Sequence, residues 1–546
     1  MAADSSPTRR TLLRGGVVHT GRHDERHTAL AIEGDRLVGS GDDAWASAYD
    51  GADEVVELAG AWVAPAFVDA HVHTVATGFL RTQLDLIGLP SLEACLRAVA
   101  EHDERQRRED PDRSGDVLLG TGWDETAWPE RRAPTGVELD RAAPGRPVYV
   151  ARVDGHSAVV SARFAEQVPD VRSLPGWHDS GLVEREAYAA VNAALGTLVG
   201  PGQRLEAARA AVAAMAAAGI AGFHENAAPH LGPAEEMSLV RRAAEERGLH
   251  ATLYWGARDA FDVMDAYGAV GLAGDLNADG AIGSCTAAMS TPYTALPDHS
   301  HGDGHGEAST HRGHEFLSVD EVAAHVLACT SRGVQAGFHC IGDAALEVVA
   351  AGFESAARTV GDEALRACRH RLEHVEMPSA RVRATMARLG VVASVQPVFD
   401  ALWGGPHGMY ADRLGERWRE MNPFAAMHGA GVPLALGSDG PVTPVGPWEA
   451  TRAAVAHRTP GHGIDAATAF AAHTLGGWRA ARVDDAGRLA PGWRAHLAAW
   501  RVREEPTDSG WLPGTLTSSS STTSVPVPTC ESLWVNGRRV DRHDPK

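Results

Sequence analysis

At 546 residues and 44% hydrophobic content, the chain is too long for one small domain and can bury a large core with smaller appendages. Its formal net charge of −21 excludes a nucleic-acid or anionic-membrane binder, because both need a basic face, and leaves a small-molecule substrate as the expected partner. Six cysteines (Cys95, Cys285, Cys329, Cys340, Cys368, Cys530) without disulfide-like or metal-like spacing suit a reducing compartment.

Near the start, Thr8-Arg9-Arg10-Thr11-Leu12-Leu13-Arg14 imitates a twin-arginine export signal, yet Gly15-Gly16 and polar residues follow where an apolar stretch is required. No apolar run approaches the roughly 20 residues of a membrane-spanning helix. A cytoplasmic protein with no membrane partner is expected. From Thr11 to about Leu58, short apolar runs with Gly-Asp turns read as antiparallel β, and the same signature returns at Leu497–Trp500 and at Leu533–Arg538, with an Asn536-Gly537 turn. Both chain ends, 1–62 and 485–546, are therefore expected to form one small β-sandwich, and the Ser/Thr/Pro-rich residues 506–528 a surface excursion.

The interior, 63–484, alternates strand-like apolar runs with Ala-rich amphipathic helices, the mark of repeated βα units in a parallel sheet. The fold class expected is α/β, an eight-stranded TIM-like (β/α)8 barrel, with strands near 66–72, 219–224, 249–255, 273–280, 334–339, 370–374, 391–396 and 432–438. Helices fall at 203–218, 233–247, 318–332 (opened by a capping box, Ser318-x-x-Glu321), 343–357, 378–389 and 464–476. Residues 80–200 break the alternation and read as an insertion after the first strand, with a helix at 91–108 and mixed strands such as 147–153.

Catalytic groups of such barrels sit where strands end. Ala66-Phe67-Val68-Asp69-Ala70-His71-Val72-His73 reads as a buried strand whose last two histidines, two residues apart, share one face and can meet one ion. His339 ends the fifth strand, His374 the sixth and Asp439 the eighth, so five candidate ligands share one rim. Imidazoles with one carboxylate suit Zn2+ best, with Fe2+, Mn2+ or Co2+ as substitutes. Asp439 can both touch the ion and shuttle a proton, and His374 is a second-ion ligand or a hydrogen-bond donor to the attacked oxygen.

Several motifs resemble the metal-dependent amidohydrolase superfamily, and within it the YtcJ-like branch, also called amidohydrolase family 3. They are Gly122-Trp123-Asp124-Glu125 with Trp128-Pro129-Glu130, Asp154-Gly155-His156-Ser157, Asp279-Gly280-Ala281-Ile282-Gly283-Ser284, His339-Cys340-Ile341-Gly342-Asp343, Arg371-Leu372-Glu373-His374, Ser394-Val395-Gln396-Pro397 and Gly437-Ser438-Asp439-Gly440-Pro441-Val442. The resemblance implies a barrel with a β-sandwich built from both chain ends. It also implies a point of departure. Many relatives bridge two ions with a carboxylated lysine at the end of strand four, whereas this chain has Gly274-Asp275-Leu276-Asn277-Ala278-Asp279-Gly280 there and no lysine except Lys546. Two arrangements follow: a single ion on His71, His73, His339 and Asp439, which is preferred, or a pair bridged by Asp275 or Glu225.

Substrate contacts are expected from His224 and Glu225 at the end of strand two, and from Trp123, Trp128 and His156 if the insertion shapes the pocket, although the two tryptophans equally suit packing inside it. The His-rich stretch 298–314 lacks a fixed scaffold and reads as a loop, not a metal site. The function expected is hydrolysis of carbon–nitrogen bonds outside peptides, on N-acyl, formamide-like or cyclic amide compounds. Ester or lactone hydrolysis and deamination use the same chemistry. A non-catalytic metal- or ligand-binding barrel is the alternative of another class, and a homodimer is the default assembly.

Overall fold

The computed structural model describes residues 9–19, 21, 27–110, 115–153, 157–295, 310–502 and 526–540. The chain divides into two compact units, one made of Met1–Thr74 and Val212–Lys546, the other of Val75–Ala211.

In the first unit, eight parallel strands pair in chain order: Phe67–Val72, Ile220–Ala227, His250–Trp255, Gly271–Leu272, Gln335–Cys340, Arg371–His374, Val392–Val395 and Leu434–Leu436. The ring closes between first and eighth strands through a parallel bridge from Val72 to Gly440. Two backbone bonds reinforce it, His73 N–H to Gly440 O at 2.8 Å and Asp439 N–H to His71 O at 2.7 Å. Closure therefore occurs at the residues that carry the candidate ligands.

Seven of the expected strands agree within a few residues, and the fourth does not. Its paired part is only Gly271–Leu272. Gly274 sits at φ +81° with Asn226 Oδ1 2.6 Å from where a Cβ would be, so the chain turns away from regular pairing there. Residues 273–280 instead form an irregular segment, tied back by Ala278 N–H to His339 O at 2.9 Å and His339 N–H to Leu276 O at 3.0 Å. That segment is free to aim Asp275 and Asp279 as a straight strand could not.

Helices alternate with the strands along the chain as the periodicity predicts: Pro201–Ala217, Glu236–Arg247, Val319–Ser331, Asp343–Val360 and Ala380–Leu389. The capping box forms, with Glu321 N–H donating to Ser318 Oγ at 3.3 Å and Ser318 N–H to Glu321 Oε2 at 2.9 Å. This helix buries Val322, Ala323, Val326 and Cys329, a stripe of period three to four. The helix expected at 464–476 is split into Ala466–Ala471 and a π-helical turn, Ala472–Gly476. Gly476 lies so close to Leu434 O, 2.3 Å from an added Cβ, that the widened turn accommodates the barrel wall.

Both chain ends share one eight-stranded sheet, since Trp62–Pro65 pairs with Leu497–Arg501 in antiparallel fashion and with Val17–Val18 in parallel. Leu13, Leu30, Ile32, Val63, Leu497 and Trp534 form its apolar interior. Each fully buried aliphatic side chain contributes about 1.5–3 kcal/mol relative to exposure. The late hairpin turns at Asn536 and Gly537, both at positive φ, as the Asn-Gly pair predicts.

The second unit holds a five-stranded sheet and the helix Leu92–Glu109, whose Ser91 hydroxyl accepts from Ala94 N–H at 3.1 Å. Trp123 and Trp128 lie in its core, 1% exposed each, with ring centroids 6.3 Å apart. Trp123 Nε1–H donates to Val150 O at 3.0 Å and Trp128 Nε1–H to Leu89 O at 2.8 Å. The expected substrate contact of Trp123 is thus corrected: the ring is buried in this core and its N–H is taken by Val150 O. All six cysteines are free and buried, and among the described residues no helix is long and apolar enough to cross a membrane.

Candidate metal centre

The rim of the barrel at its closure gathers six of the expected side chains: His71, His73, Asp275, His339, His374 and Asp439. They form three overlapping triads, His71/His374/Asp439, His71/His73/Asp275 and Asp275/His339/His374, each with ligand atoms within 4.8 Å of one another. Asp275 belongs to two of the three. Its carboxylate faces His73 Nε2 at 3.2 Å, His71 Nε2 at 3.5 Å, His339 Nδ1 at 3.9 Å and His374 Nε2 at 3.9 Å. Asp439 Oδ1 is 3.1 Å from His73 Nε2 and 3.4 Å from His71 Nε2. His71 and His374 are likewise shared by two, and Asp275, weighed in the sequence only as a bridging alternative, is the carboxylate that faces all four imidazoles.

Hydrogen bonds select which ring nitrogen each histidine presents. His71 Nδ1 bonds Glu373 Oε2 at 2.8 Å, leaving Nε2 for the centre. His374 Nδ1 bonds Gln396 Oε1 at 2.8 Å, again freeing Nε2. His339 is reversed, its Nε2 bonding Gly280 O at 3.2 Å so that Nδ1 faces inward. Asp69 braces the closure: its carboxylate accepts from Ser438 Oγ at 2.6 Å, Ser438 N–H at 2.9 Å and His71 N–H at 3.2 Å. Asp279 similarly accepts from Ala288, Ile341 and Gly342 N–H at 2.9, 3.0 and 2.7 Å, organising the loops after strands four and five. His374, Val375 and Asp439 have left-handed backbones, φ 69°, 52° and 55°, a strain of about 1–3 kcal/mol each that surrounding contacts hold.

The donors fit a divalent cation. His71 Nε2, Asp275 Oδ1 and Asp439 Oδ1 are all buried without a hydrogen-bond partner, although they face one another across 3.4–3.5 Å. Three unsatisfied lone-pair donors at one point are costly unless a cation shares them. The electrostatics agree. Burial alone would lower His71, but Asp275 and Asp439 outweigh it and hold the imidazole up to about 10. Burial opposes the ionisation of Asp275 as well, yet His71 and His73 keep it well below the usual carboxylate range, and Asp439 is lowered for the same reason. His339 and His374 are lowered by burial, which outweighs the opposing pull of Asp275 on both and of Asp439 on His374 and favours the neutral rings that ligands must be. The pocket is thus a place where positive charge is wanted and protons occupy it when nothing else does.

The other expected residues lie elsewhere. His224 is 1% exposed inside the barrel, where its Nδ1 accepts from Arg371 Nη1 at 2.9 Å, so the expected substrate contact is corrected to an interior hydrogen bond. Glu225 is buried and its Oε2 accepts from Thr74 N–H at 2.8 Å, at the start of the helix that follows His73; among the described residues it joins none of the ligand triads. His156 lies outside the described residues, as does 298–309 of the His-rich stretch. From the remainder of that stretch, His311 Nε2 bonds Cys285 O at 2.7 Å, and neither His311 nor His314 joins a ligand triad among the described residues.

Sequence reasoning missed Glu373, Gln396, Asp69 and the buried pair Glu376–Tyr410, in which Tyr410 O–H donates to Glu376 Oε2 at 2.6 Å. Burial pushes Glu376 up to about 8. For Asp69 and Glu373 a signal existed: Asp69-x-His71-x-His73 and Arg371-x-Glu373 alternate with period two on barrel strands, which puts each set on one face.

Comparison with known proteins supplies independent bearings. A sequence model described as the amidohydrolase family matches residues 54–541. YtcJ of Bacillus subtilis (strain 168), which carries an amidohydrolase name, is 26% identical over 484 residues, spanning 82% of this chain and 84% of its own. The N-substituted formamide deformylase of Arthrobacter pascens is 25% identical over 468 residues, 81% of this chain and 84% of its own. Among solved structures, an uncharacterized metal-dependent hydrolase from Pyrococcus furiosus superposes with a TM-score of 0.73 at 22% identity, over 90% of this chain and 98% of the other, a likeness of fold.

Proposed function

The chain belongs to the amidohydrolase family, and from that premise we propose that it hydrolyses carbon–nitrogen bonds outside peptides, in N-acyl, formamide-like or cyclic amide small molecules, at a two-cation centre. The observation that carries this reading is the Asp275 carboxylate, which is shared by two ligand triads in the segment where relatives bearing a bridging lysine would have it. With no lysine available except Lys546, an ordinary carboxylate would take that role. His339 also groups with His374 and Asp275 and not with His71, His73 and Asp439, which favours two ions over the preferred single-ion set. Zn2+ suits the donors best, with Fe2+, Mn2+ or Co2+ as substitutes. The formamide deformylase relative supports the choice of bond.

His71, His73, Asp275, His339, His374 and Asp439 would hold the cations. Bound there, divalent cations lower the pKa of a water and polarise a carbonyl oxygen. The rest falls to the protein. Asp439 Oδ1 carries no hydrogen bond, so it can take the proton of the attacking water and return it to the departing nitrogen. Glu373 and Gln396 keep the Nε2 atoms of His71 and His374 directed inward throughout. Asp69, gripping Ser438 and His71 together, fixes the separation of the first and eighth strands and hence of proton carrier and ligands. A non-catalytic barrel has less support, since relatives named as hydrolases align with this chain over most of its length.

The test is a hydrolysis panel of N-formyl and N-acyl amines, cyclic amides, lactones and aminated heterocycles, run on native, chelated and cation-restored protein. Amide turnover that disappears on chelation and returns with Zn2+ is expected. Turnover restricted to lactones or ring amines would replace the substrate class.

A further inference from the structure

The barrel interior beneath the centre contains a buried cation of its own. Arg371 is 0% exposed. Its Nε donates to Glu373 Oε1 at 2.5 Å and its Nη2 to Glu373 Oε2 at 2.9 Å, a bidentate pair. Nη2 also reaches Ala70 O at 2.7 Å and Ser394 Oγ at 3.1 Å, while Nη1 faces His224 Nδ1 at 2.9 Å. The guanidinium carbon lies 4.4 Å over the Tyr254 ring. One side chain thus ties the first, second, third, sixth and seventh barrel strands together, and the carboxylate it grips is the one that bonds His71 Nδ1.

We infer that Arg371 is a positioning residue for the cation centre, acting through Glu373 to decide which nitrogen of His71 faces inward. The inference rests on the metal-centre reading above. A buried ion pair is a poor device for stability alone, because apolar residues of similar volume in its place are often as stabilising. What the pair supplies is direction. Both Glu373 oxygens are acceptors, and Arg371 fixes their plane with two donors, so the atom facing His71 Nδ1 can only accept. His71 must then carry its proton on Nδ1 and offer the lone pair of Nε2, the buried atom that otherwise has no partner. Supports of this kind typically change cation affinity by 10–100-fold.

The geometry makes a prediction with an unusual sign. In Glu373→Gln, Arg371 still donates at both the Oε1 and the Oε2 positions, so in either orientation the amide nitrogen faces one of its N–H groups. With the nitrogen at the Oε2 position His71 Nδ1 must accept and its proton moves to Nε2, the atom the cation needs; with it at the Oε1 position the Arg371 Nε–H loses its acceptor and the grip on the carboxamide plane is broken. With Arg371→Met added, the amide can flip and offer its oxygen to His71 again. The damage done by Glu373→Gln therefore depends on Arg371 being present.

The experiment titrates the metal-stripped full chain with Co2+, following affinity and the visible absorption of bound Co2+, for wild type, Glu373→Gln, Arg371→Met, the double variant and Arg371→Lys. Each of Glu373→Gln and Arg371→Met is expected to weaken Co2+ binding about 10–100-fold and to alter the spectrum. The double variant should bind at least as tightly as Glu373→Gln. Arg371→Lys keeps the charge with fewer donors and should fold and fall between wild type and Arg371→Met. Losses that multiply in the double variant, or affinity and spectra unchanged in every folded variant, overturn the inference. Wild-type protein that takes up no Co2+ would instead overturn the metal-centre reading itself.

Discussion

Replacing Asp275 by Asn keeps the shape of the side chain and removes one negative charge from the middle of the ligand set. Its carboxylate lies 3.2, 3.5, 3.9 and 3.9 Å from nitrogens of His73, His71, His339 and His374, so any cation that those rings share lies within a similar distance. A unit charge about 4 Å from a dication is worth about 8 kcal/mol at an effective dielectric of 20. The amide oxygen retains part of this as a neutral ligand. If only a quarter is lost, about 2 kcal/mol, cation affinity still falls more than tenfold. The assay is metal per chain at a fixed free Zn2+ concentration, with turnover and circular dichroism on the same samples. Asp275→Asn should hold at most half the metal of wild type and turn over at least about a hundredfold more slowly, with native secondary structure. Undiminished metal and activity would refute a bridging Asp275 and return the centre to one ion on His71, His73, His339 and Asp439.

Other perturbations probe separate parts of the account. Asp439→Asn removes the proton carrier without opening a cavity and should lower kcat by about 10²–10⁴-fold, with a melting temperature within a few degrees of wild type; near-normal kcat would remove Asp439 from that role. Trp123→Phe gives up the bond to Val150 O and should cost about 1–3 kcal/mol of stability while leaving KM unaltered, and a large KM change would reinstate it as a substrate contact. Acid should destabilise the protein through His370, which burial pushes down to about 3 and whose Nδ1 accepts from Ala336 N–H at 2.9 Å. A depressed histidine contributes stability that is fully present above its unfolded value near 6.5 and is lost as pH falls towards 3. Between pH 7 and pH 5 that loss amounts to about 2 kcal/mol. The stability gap between wild type and His370→Asn should narrow by about that amount in denaturation experiments over this range, and a gap independent of pH would contradict the assignment.

Much of the architecture could be read from hydrophobic periodicity because the barrel repeats one unit, and seven strands came within a few residues. The fourth could not, since Leu276-Asn277-Ala278-Asp279 alternates as a strand does but the chain turns away at Gly274, where long-range contact with Asn226 decides the path. The same irregularity hid the rank of Asp275: inside an expected strand at 273–280 nothing marks it out, and only closure of the ring puts it among four imidazoles. Motif content misled at Trp123, because an indole suits a core and a pocket equally well. His224 misled for a related reason: a strand-end position does not say whether a ring points to the mouth or to Arg371 below it. Asp69 and Glu373 were legible in principle from period-two spacing, but their partners lie hundreds of residues away, and a carboxylate's task is set by its partner.

The most direct test measures bound cations and amide hydrolysis together in one preparation of the full chain, before chelation, after it, and after cation is restored. The account predicts about two divalent cations per chain, with hydrolysis of an N-formyl or N-acyl amine that vanishes with them and returns with them. Full amide hydrolysis by cation-free protein would contradict it.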